Sequence, residues 1–314
     1  MTLRLLAIHA HPDDESSKGA ATYAHYVNAG AEVLVVSCTG GERGDIQNEG
    51  LVEKAMANRD MAGLRRIEMA AATREIGFDH LWLGYLDSGL PEEGETVPAN
   101  SFSVIPLEFS AEPLVAIIRR FRPQVVITYD EAGGYPHPDH IRTHEASMFA
   151  IDAAAEASRY VDAGDPWQVS KVYYDRIFNS PRIEAMWGYI SKTQPDSEHL
   201  QHLTEMRDRM KERPDVSTTH VAVGDFLDVR DRALKAHASQ VSPDSGFFFW
   251  PNDLQREAWP FEDFQLARSL VESTLPESDL FAGIVDDSPV SETSVSNELP
   301  LSTRTLVPIE TPIA

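Results

Sequence analysis

The sequence predicts an α/β protein with an open, mostly parallel sheet and helices on both faces, a Rossmann-like architecture, followed by a smaller C-terminal α+β portion. Short apolar runs alternate with stretches of helical periodicity in about five strand–helix repeats. The runs are apolar at consecutive positions, which is typical of strands buried on both faces of a parallel sheet. Polar or glycine-rich loops follow these runs, and open α/β sheets bind ligands at that edge.

The first half of the chain carries the clearest pattern. A strand, a short loop, a helix and a second strand form a βαβ unit, whose crossover is right-handed in nearly all proteins. The predicted strands lie at 3–10, 32–37, 79–83 and 124–128, and the predicted helices at 16–29, 53–76, 111–121 and 141–159. Gly77 is the expected C-cap of the second helix.

Beyond residue 160 the periodicity weakens. The candidate strands there are 169–175 and 218–223, and the candidate helices are 183–213, interrupted near Pro195, and 225–239. We expect residues 160–284 to complete the sheet and to form the wall that selects the ligand, within one α/β domain at 1–284. Residues 285–314 are rich in Ser, Thr, Pro and Glu without periodicity, which predicts a disordered acidic tail.

Composition excludes several classes of protein. The chain has 314 residues and a net charge of −23, which repels nucleic acid and anionic lipid. Cys38 is the only cysteine, so no intrachain disulfide can form. The N-terminus has too short an apolar stretch for a signal peptide, and no segment approaches the roughly 18 apolar residues of a membrane span. We therefore expect a cytoplasmic protein with no nucleic acid or membrane partner; a homo-oligomer is compatible with the sequence.

Two clusters of His and Asp follow predicted strands. Residues 9–15 read HAHPDDE after the first strand, and residues 135–140 read YPHPDH after the fourth. A catalytic zinc typically takes three protein ligands and keeps a further position open. His11, Asp14 and His140 can supply these ligands, because the carboxyl ends of parallel strands meet at one edge of the sheet.

The remaining polar residues of the clusters suit acid–base chemistry. Asp13 lies beside two of these ligands, and a carboxylate next to a metal site can act as a general base on water. His137 is expected across the site, where an imidazolium can stabilise an oxyanion or protonate a leaving amine. Asp139, beside His140, fits a carboxylate that orients an imidazole.

Some residues near the clusters have other interpretations. His144 lies one helical turn after His140 and could replace Asp14 as a metal ligand, although we favour Asp14. His9 alternates away from His11 along the strand and is expected to face the core or the sheet. A single His or Asp after a strand is usually a turn residue or an N-cap. The metal prediction therefore depends on finding two His-Pro-Asp sequences, each between a strand and a helix.

These motifs resemble those of the LmbE-like (PIG-L) family of metal-dependent sugar de-N-acetylases and amidases. The likeness covers roughly residues 3–284. It is carried by IHAHPDDESSKGAA, TGGERG, WLGYLDSGLP, FRPQVVITYDEAGGYPHPDHIRTH, LKAHASQV and, at its end, DLFAGI. The resemblance implies an enzyme that hydrolyses a linear, non-peptide amide bond.

Carried over by position, the resemblance also implies roles for individual residues. The implied ligands of one Zn²⁺ per subunit are His11, Asp14 and His140, and Fe²⁺ suits the same ligand set. The implied catalytic residues are the general base Asp13, the oxyanion and leaving-group residue His137, its assistant Tyr135 and, behind it, Asp139. The implied substrate-binding residues are Lys18 and, in the loops after the second and third strands, the sugar-binding residues Arg66 and Asp87.

Within the family, Lys18 and the DLFAGI segment favour hydrolysis of mycothiol S-conjugates, small thiol–sugar conjugates, over deacetylation of N-acetylglucosaminyl-inositol. The implied products are a mercapturic acid and glucosaminyl-inositol, in thiol-based detoxification. A sugar-binding protein with a structural metal is a second alternative, disfavoured because a structural zinc usually closes its fourth position with protein. A dinucleotide-binding oxidoreductase is excluded, since the first strand ends in HPDD where a G-x-G-x-x-G turn would be needed.

Overall fold

Seven strands form one mixed sheet in the part of the chain that the structure describes. This computed structural model describes residues 2–92, 94–248 and 251–284, so the predicted tail at 285–314 lies outside the described residues. The strands are β1 Arg4–His9, β2 Glu32–Thr39, β3 Asp79–Tyr85, β4 Val125–Thr128, β5 Lys171–Asp175, β6 Thr219–Ala222 and β7 Phe261–Ser269. Their order across the sheet is β3-β2-β1-β4-β5-β7-β6.

The sheet is mostly parallel, which confirms the predicted fold class. The first five strands pair in parallel, whereas β7 runs antiparallel to both β5 and β6. Sequence reasoning missed β7. Its sequence, FEDFQLARS, places charged residues where a buried strand usually has apolar ones. Glu262 is nevertheless buried, because its carboxylate accepts hydrogen bonds from the backbone N–H groups of Ala21 and Thr22.

Helices pack on both faces of this sheet. They are α1 Asp14–Ser17, α2 Ala20–Asn28, α3 Lys54–Ala57, α4 Met61–Ile76, α5 Leu107–Phe121, α6 Pro138–Ala155, α7 Ser180–Thr193, α8 Glu198–Met210, α9 Leu227–Ala236 and α10 Asn252–Ala258. Buried side chains of α2, α4 and α9 share the core on one face, and those of α5 and α6 share the core on the other.

Two of the predicted helices are each divided in two. The first is interrupted at Gly19, where an added Cβ would lie 2.6 Å from the ring of Tyr23. The second is interrupted before Asp60. Asp60 is the N-cap of α4, because its carboxylate accepts a hydrogen bond from the backbone N–H of Gly63. Gly77 ends α4 with a φ of 95°, as predicted.

The central strand β1 shows how the sequence builds the core. Successive side chains of a strand point to opposite faces, so Leu5 and Ala7 belong to one core and Leu6 and Ile8 to the other. All four are fully buried. Truncating a buried Leu to Ala typically costs about 2–5 kcal/mol. This strand therefore contributes strongly to the stability of the sheet that carries the site.

The topology positions a site at the carboxyl end of β1. The strand that follows β1 in the chain, β2, lies on one side of it, and β4 lies on the other. Open α/β sheets bind ligands beside such a switch point. The segments that lead from β1 into α1 and from β4 into α6 contain the two His-Pro-Asp sequences. Among the described residues, no helix is both long and apolar enough to cross a bilayer.

Candidate active site

The two His-Pro-Asp clusters meet at the carboxyl ends of β1 and β4. One potential ligand atom from each of His11, Asp14 and His140 lies within 4.8 Å of the other two. Asp14 Oδ2 is 3.6 Å from His11 Nδ1 and 3.4 Å from His140 Nε2. All three side chains are buried. These atoms are close enough to be ligands of one metal ion.

Both imidazoles are held by hydrogen bonds at their other ring nitrogens. His11 Nε2 donates to Asp139 Oδ2 over 3.3 Å, and His140 Nδ1 donates to the carbonyl oxygen of Gly133 over 2.9 Å. His11 Nδ1 and His140 Nε2 are then left as acceptors facing Asp14. His140 Nε2 is buried and has no hydrogen-bond partner among the described residues. Because a buried polar atom needs a partner, this donor set fits a bound metal ion.

Asp14 is held as a carboxylate. Its Oδ2 accepts hydrogen bonds from the hydroxyl of Tyr129 (2.8 Å) and the backbone N–H of His11 (3.0 Å), and Lys18 Nζ contacts its Oδ1. Burial by itself raises the pKa of Asp14, but Lys18 and the neighbouring imidazoles hold that pKa well below its usual value. Asp14 is therefore charged at neutral pH, as a metal ligand requires.

Asp13 has a strained backbone beside the cluster. Its φ of 97° lies in the left-handed region, which costs a non-glycine residue about 1–3 kcal/mol. Its side chain is 26% exposed and accepts a hydrogen bond from Arg65 Nη2 over 2.8 Å. Burial raises the pKa of Asp13, against the lowering effect of Arg65. A partly solvated carboxylate with a raised pKa has the properties of a general base.

Sequence reasoning missed Arg65 and selected its neighbour. The guanidinium of Arg65 also donates to the carbonyl oxygens of Pro12 and Gly41, so it joins the loops after β1 and β2. Arg66 is exposed and lies over the ring of Trp82, 5.6 Å from its centroid. Arg66 thus lies in α4, within the predicted helix at 53–76, and not in a loop after the second strand. One step along a helix turns a side chain by about 100°, which decides which arginine faces the site.

A buried pair of side chains next to Asp13 was also missed. Glu15 Oε2 accepts a hydrogen bond from the backbone N–H of Asp13 over 2.8 Å, and Glu15 Oε1 accepts one from His237 Nε2 over 2.7 Å. Burial by itself raises the pKa of Glu15, but His237 and the hydroxyl of Ser16 lower it, and the resulting pKa is about 2. The motif LKAHASQV, which contains His237, was the signal in the sequence that could have indicated this pair.

His137 and Tyr135 lie against the same cluster. His137 Nδ1 accepts a hydrogen bond from the backbone N–H of Asp139 over 3.1 Å, which places the ring proton on Nε2. Burial, and then the neighbouring imidazoles of His11 and His140, lower the pKa of His137. In this arrangement Nε2 of His137 is the ring atom that can donate a hydrogen bond. The ring of Tyr135 is 4.5 Å from that of His140, between centroids.

Asp139 has a different partner from the one expected. Its carboxylate accepts hydrogen bonds from the backbone N–H and the hydroxyl of Ser88, as well as from His11. It therefore orients His11, whereas it meets His137 only through its backbone N–H. The reason is again helical geometry, because consecutive residues of α6 point about 100° apart and face different neighbours.

Asp87 lies at the β3 side of the cluster. Its Oδ1 is 3.6 Å from His11 Nε2, and its carboxylate accepts hydrogen bonds from the backbone N–H groups of Gly89 and Arg43. Burial by itself raises the pKa of Asp87, but His11 and these donors hold it well below its usual value. Of the two predicted sugar-binding residues, Asp87 is the one that the structure brings to the cluster.

Two other histidines near the clusters have separate partners. His144 Nδ1 donates to the carbonyl oxygen of Tyr129 over 3.0 Å, and His144 is not among the grouped ligand atoms of the described residues. His9 is fully buried and hydrogen-bonded to the hydroxyls of Tyr23 (2.9 Å) and Tyr129 (3.2 Å). The structure therefore groups Asp14, and not His144, with His140.

A cavity of ≈ 820 Å³ opens beside the cluster. Lys18 and Tyr135 line its end nearest to His11, Asp14 and His140, and most of its remaining lining comes from residues between 175 and 264. Small-molecule sites typically have volumes of roughly 300–1,000 Å³. The C-terminal half thus supplies most of the wall of a cavity large enough for a small-molecule substrate.

The chain is similar in sequence to enzymes that act on amide bonds. A model of the PIG-L family, described as GlcNAc-PI de-N-acetylase, matches residues 6–151, a range that contains both His-Pro-Asp sequences. The mycothiol S-conjugate amidase of Streptomyces coelicolor is 48% identical over 293 residues, which cover 91% of this chain and 99% of that protein. The 1D-myo-inositol 2-acetamido-2-deoxy-alpha-D-glucopyranoside deacetylase of Streptomyces avermitilis is 36% identical over 290 residues, 90% of this chain and 97% of that protein.

The fold is also similar to that of a solved structure. The N,N'-diacetylchitobiose deacetylase of Pyrococcus horikoshii matches with a TM-score of 0.57, over 84% of this chain and 83% of that chain. The sequence identity is 20%, so this likeness concerns the fold alone.

Proposed function

Because the chain belongs to the PIG-L (LmbE-like) family of amide-bond hydrolases, we propose that it is a zinc-dependent amidase of mycothiol S-conjugates. The bond broken joins the N-acetylcysteinyl S-conjugate to the amine of glucosaminyl-inositol. Addition of water gives a mercapturic acid and the free aminosugar-inositol. The enzyme would serve detoxification of electrophiles in a cytoplasm that uses mycothiol.

The observation that carries this proposal is the buried group of His11, Asp14 and His140 with the Asp13 carboxylate beside it. The partnerless Nε2 of His140 supports a metal ion there, and the exposed part of Asp13 supports catalysis. Two features favour the amidase within the family. The identity to an amidase, 48%, exceeds the 36% to a deacetylase, and Lys18 lines the cavity beside the cluster.

The residues of the chain have distinct roles in the proposed reaction. His11, Asp14 and His140 would hold the ion, which when bound would polarise the amide carbonyl and acidify water; Fe²⁺ suits the same ligands. Arg65 holds Asp13 Oδ2, and the carboxylate takes a proton from the attacking water. Asp13 then delivers this proton to the leaving amine of the sugar.

The remaining groups stabilise charge and orient the ligands. His137 donates a hydrogen bond from Nε2 to the amide oxygen as negative charge develops there. One such donor is typically worth about 10²–10³ in kcat. Tyr135, which is 46% exposed above the cluster, assists from the solvent side. Asp139 keeps His11 in the orientation that leaves Nδ1 for the ion.

A second candidate is the deacetylation of N-acetylglucosaminyl-inositol. It is supported by the 36% identity to the deacetylase, and it needs the same ligands and the same base. A sugar-binding protein with a structural metal is the remaining alternative, and the raised pKa of Asp13 beside the cluster disfavours it.

The test compares hydrolysis of the bimane conjugate of mycothiol and of N-acetylglucosaminyl-inositol by the purified, metal-loaded protein. The control is Asp13→Ala, with its metal content measured. We expect kcat/KM for the conjugate to be at least about tenfold higher, and Asp13→Ala to keep the metal while losing about 10²–10⁴ in rate.

Each other outcome identifies an alternative. Faster turnover of the acetylated sugar would make the protein a deacetylase. Hydrolysis that survives in Asp13→Ala would remove that residue as the base. Binding of metal and sugar without turnover of either substrate would favour the sugar-binding protein.

A further inference from the structure

We infer that the apolar side chains lining the cavity form the subsite for the S-substituent of the conjugate and that this subsite takes apolar groups of varied shape. We call this set of side chains the apolar rim, and it consists of Ile177, Phe178, Met206 and Phe247. The inference rests on the proposed function. It extends that function from the reacting bond to the part of the substrate that differs between conjugates.

The apolar rim exposes large side chains to the cavity. Phe178 is 58% exposed and Phe247 is 39% exposed, and both line the cavity. They come from separate segments, since Phe178 precedes α7 and Phe247 lies in a 3₁₀ turn at Gly246–Phe248. Met206 joins them from α8. Exposed apolar side chains that converge on one concave surface are typical of a ligand site.

The opposite side of the cluster is polar. In the loops after β2 and β3, Glu42 Oε1 accepts a hydrogen bond from the backbone N–H of Asp87, and Asp87 accepts one from the backbone N–H of Arg43. Arg65 lies in the same region, where it contacts Gly41. Sugar and inositol rings carry hydroxyl groups that pair with such side chains. A conjugate with its amide at the cluster therefore has a polar surface for its sugar half on this side.

The acyl half of the conjugate then faces the cavity. The order of the sheet places β5 and β7 on the side of β1 away from β2 and β3. The segment with Ile177 and Phe178 follows β5 directly. Lys18 and Tyr135 line the near end of the cavity and also contact the cluster, through Asp14 and His140 respectively. The sulfur of the conjugate, which extends from the acyl side of the amide, is thus directed toward the apolar rim.

The chemistry of the apolar rim suits substituents of different shape. Methionine is flexible and polarisable and adapts to irregular partners, and exposed phenyl rings accept aromatic or aliphatic groups by stacking. Arg209 and Arg213 also line the cavity, and planar guanidinium groups stack on aromatic rings. The apolar rim therefore favours an aromatic or aliphatic substituent.

The experiment compares the S-benzyl and S-methyl conjugates of mycothiol as substrates of the full-length, metal-loaded protein. In the double variant Phe178→Ala with Phe247→Ala, we expect kcat/KM for the S-benzyl conjugate to fall by about tenfold or more, mainly through KM. For the S-methyl conjugate we expect a change of less than about twofold, because a methyl group cannot reach the same area. Phe109→Ala is the matched control, since this phenylalanine of α5 is 67% exposed and does not line the cavity.

A second readout uses the reaction products as inhibitors. N-acetyl-S-benzylcysteine should inhibit the double variant less strongly than the wild type and Phe109→Ala, whereas N-acetyl-S-methylcysteine should not distinguish the three proteins. Equal losses for both conjugates, or an unchanged S-benzyl reaction, would overturn the inference alone. A wild type that cleaves neither conjugate would overturn the proposed function, and the inference with it.

Discussion

Arg65 Nη2 lies 2.8 Å from Asp13 Oδ2, and the two side chains differ in exposure, 3% for Arg65 and 26% for Asp13. The buried guanidinium therefore orients a carboxylate that water can still reach. The pair also holds a residue whose backbone is strained, with φ at 97°. Strain of this kind persists only where the surroundings over-determine it, and Arg65 is one of the groups that does so.

The variant Arg65→Met tests this pair. We expect kcat to fall by about 10- to 100-fold with bound metal unchanged, because Asp13 loses a charge-assisted hydrogen bond and its fixed orientation. The matched control is Arg66→Met, which removes an exposed arginine from the next position and should change kcat by less than about twofold. Steady-state kinetics and metal analysis of both variants decide the matter. A larger loss in Arg66→Met would restore Arg66 as the functional residue.

Glu15 should contribute to stability against acid. Its pKa in the folded protein is about 2, below the ordinary value of 4.5, because His237 donates a hydrogen bond and, when protonated, a charge to it. The depressed pKa means that the stabilisation is complete above about pH 4.5 and is lost as the pH falls from there toward 2, with a total on the order of 3 kcal/mol.

Urea unfolding of the wild type and of Glu15→Gln, from about pH 3 to 6, measures this contribution. The free energy of unfolding should fall more steeply with decreasing pH in the wild type, since the glutamine cannot titrate. Equal slopes for the two proteins would show that the pKa of Glu15 is not depressed in the folded state.

Metal binding should stabilise the fold through His140. Zn²⁺ added to the chelated protein at about one hundred times its Kd should raise the free energy of unfolding by about 2.7 kcal/mol. His140→Ala should abolish this gain, because it removes the buried, partnerless Nε2. His144→Ala is the control, since that ring donates to the carbonyl oxygen of Tyr129 instead. If the gain disappeared only in His144→Ala, the ligand assignment would have to be exchanged between the two histidines.

Lys18 should influence the choice between the two candidate substrates. Its Nζ contacts Asp14, and Lys18 lines the cavity beside the cluster. We expect Lys18→Ser to lower the ratio of kcat/KM for the mycothiol conjugate to that for N-acetylglucosaminyl-inositol by about tenfold, as expected when a polar contact to one substrate is lost. A competition assay with both substrates in one mixture measures this ratio directly. A ratio that does not change would leave Lys18 with a role only at Asp14.

The sequence was sufficient to predict the strands and helix ends whose signals lie in neighbouring residues. The consecutive apolar residues of β1 and β4 indicate strands buried on both faces, and Gly77 indicates the end of α4, because these signals depend on neighbouring residues alone. The missed strand β7 depends on distant partners. Glu262 can be buried in it only because the N-terminus of α2 supplies backbone donors that lie 240 and 241 residues away in the chain.

The amino-acid sequence was enough to predict that His11, Asp14 and His140 lie close together. Two His-Pro-Asp clusters follow strands whose apolar runs predict a parallel sheet, and the carboxyl ends of such strands meet at one edge. Which side chains complete the site was settled only by the packing of the folded chain. That packing selected Arg65 over Arg66, directed Asp139 to His11, and brought His237 to Glu15. The strands and the residue types of the two clusters are encoded in local patterns, whereas the direction of a side chain depends on helix rotation and on contacts between segments far apart in the chain.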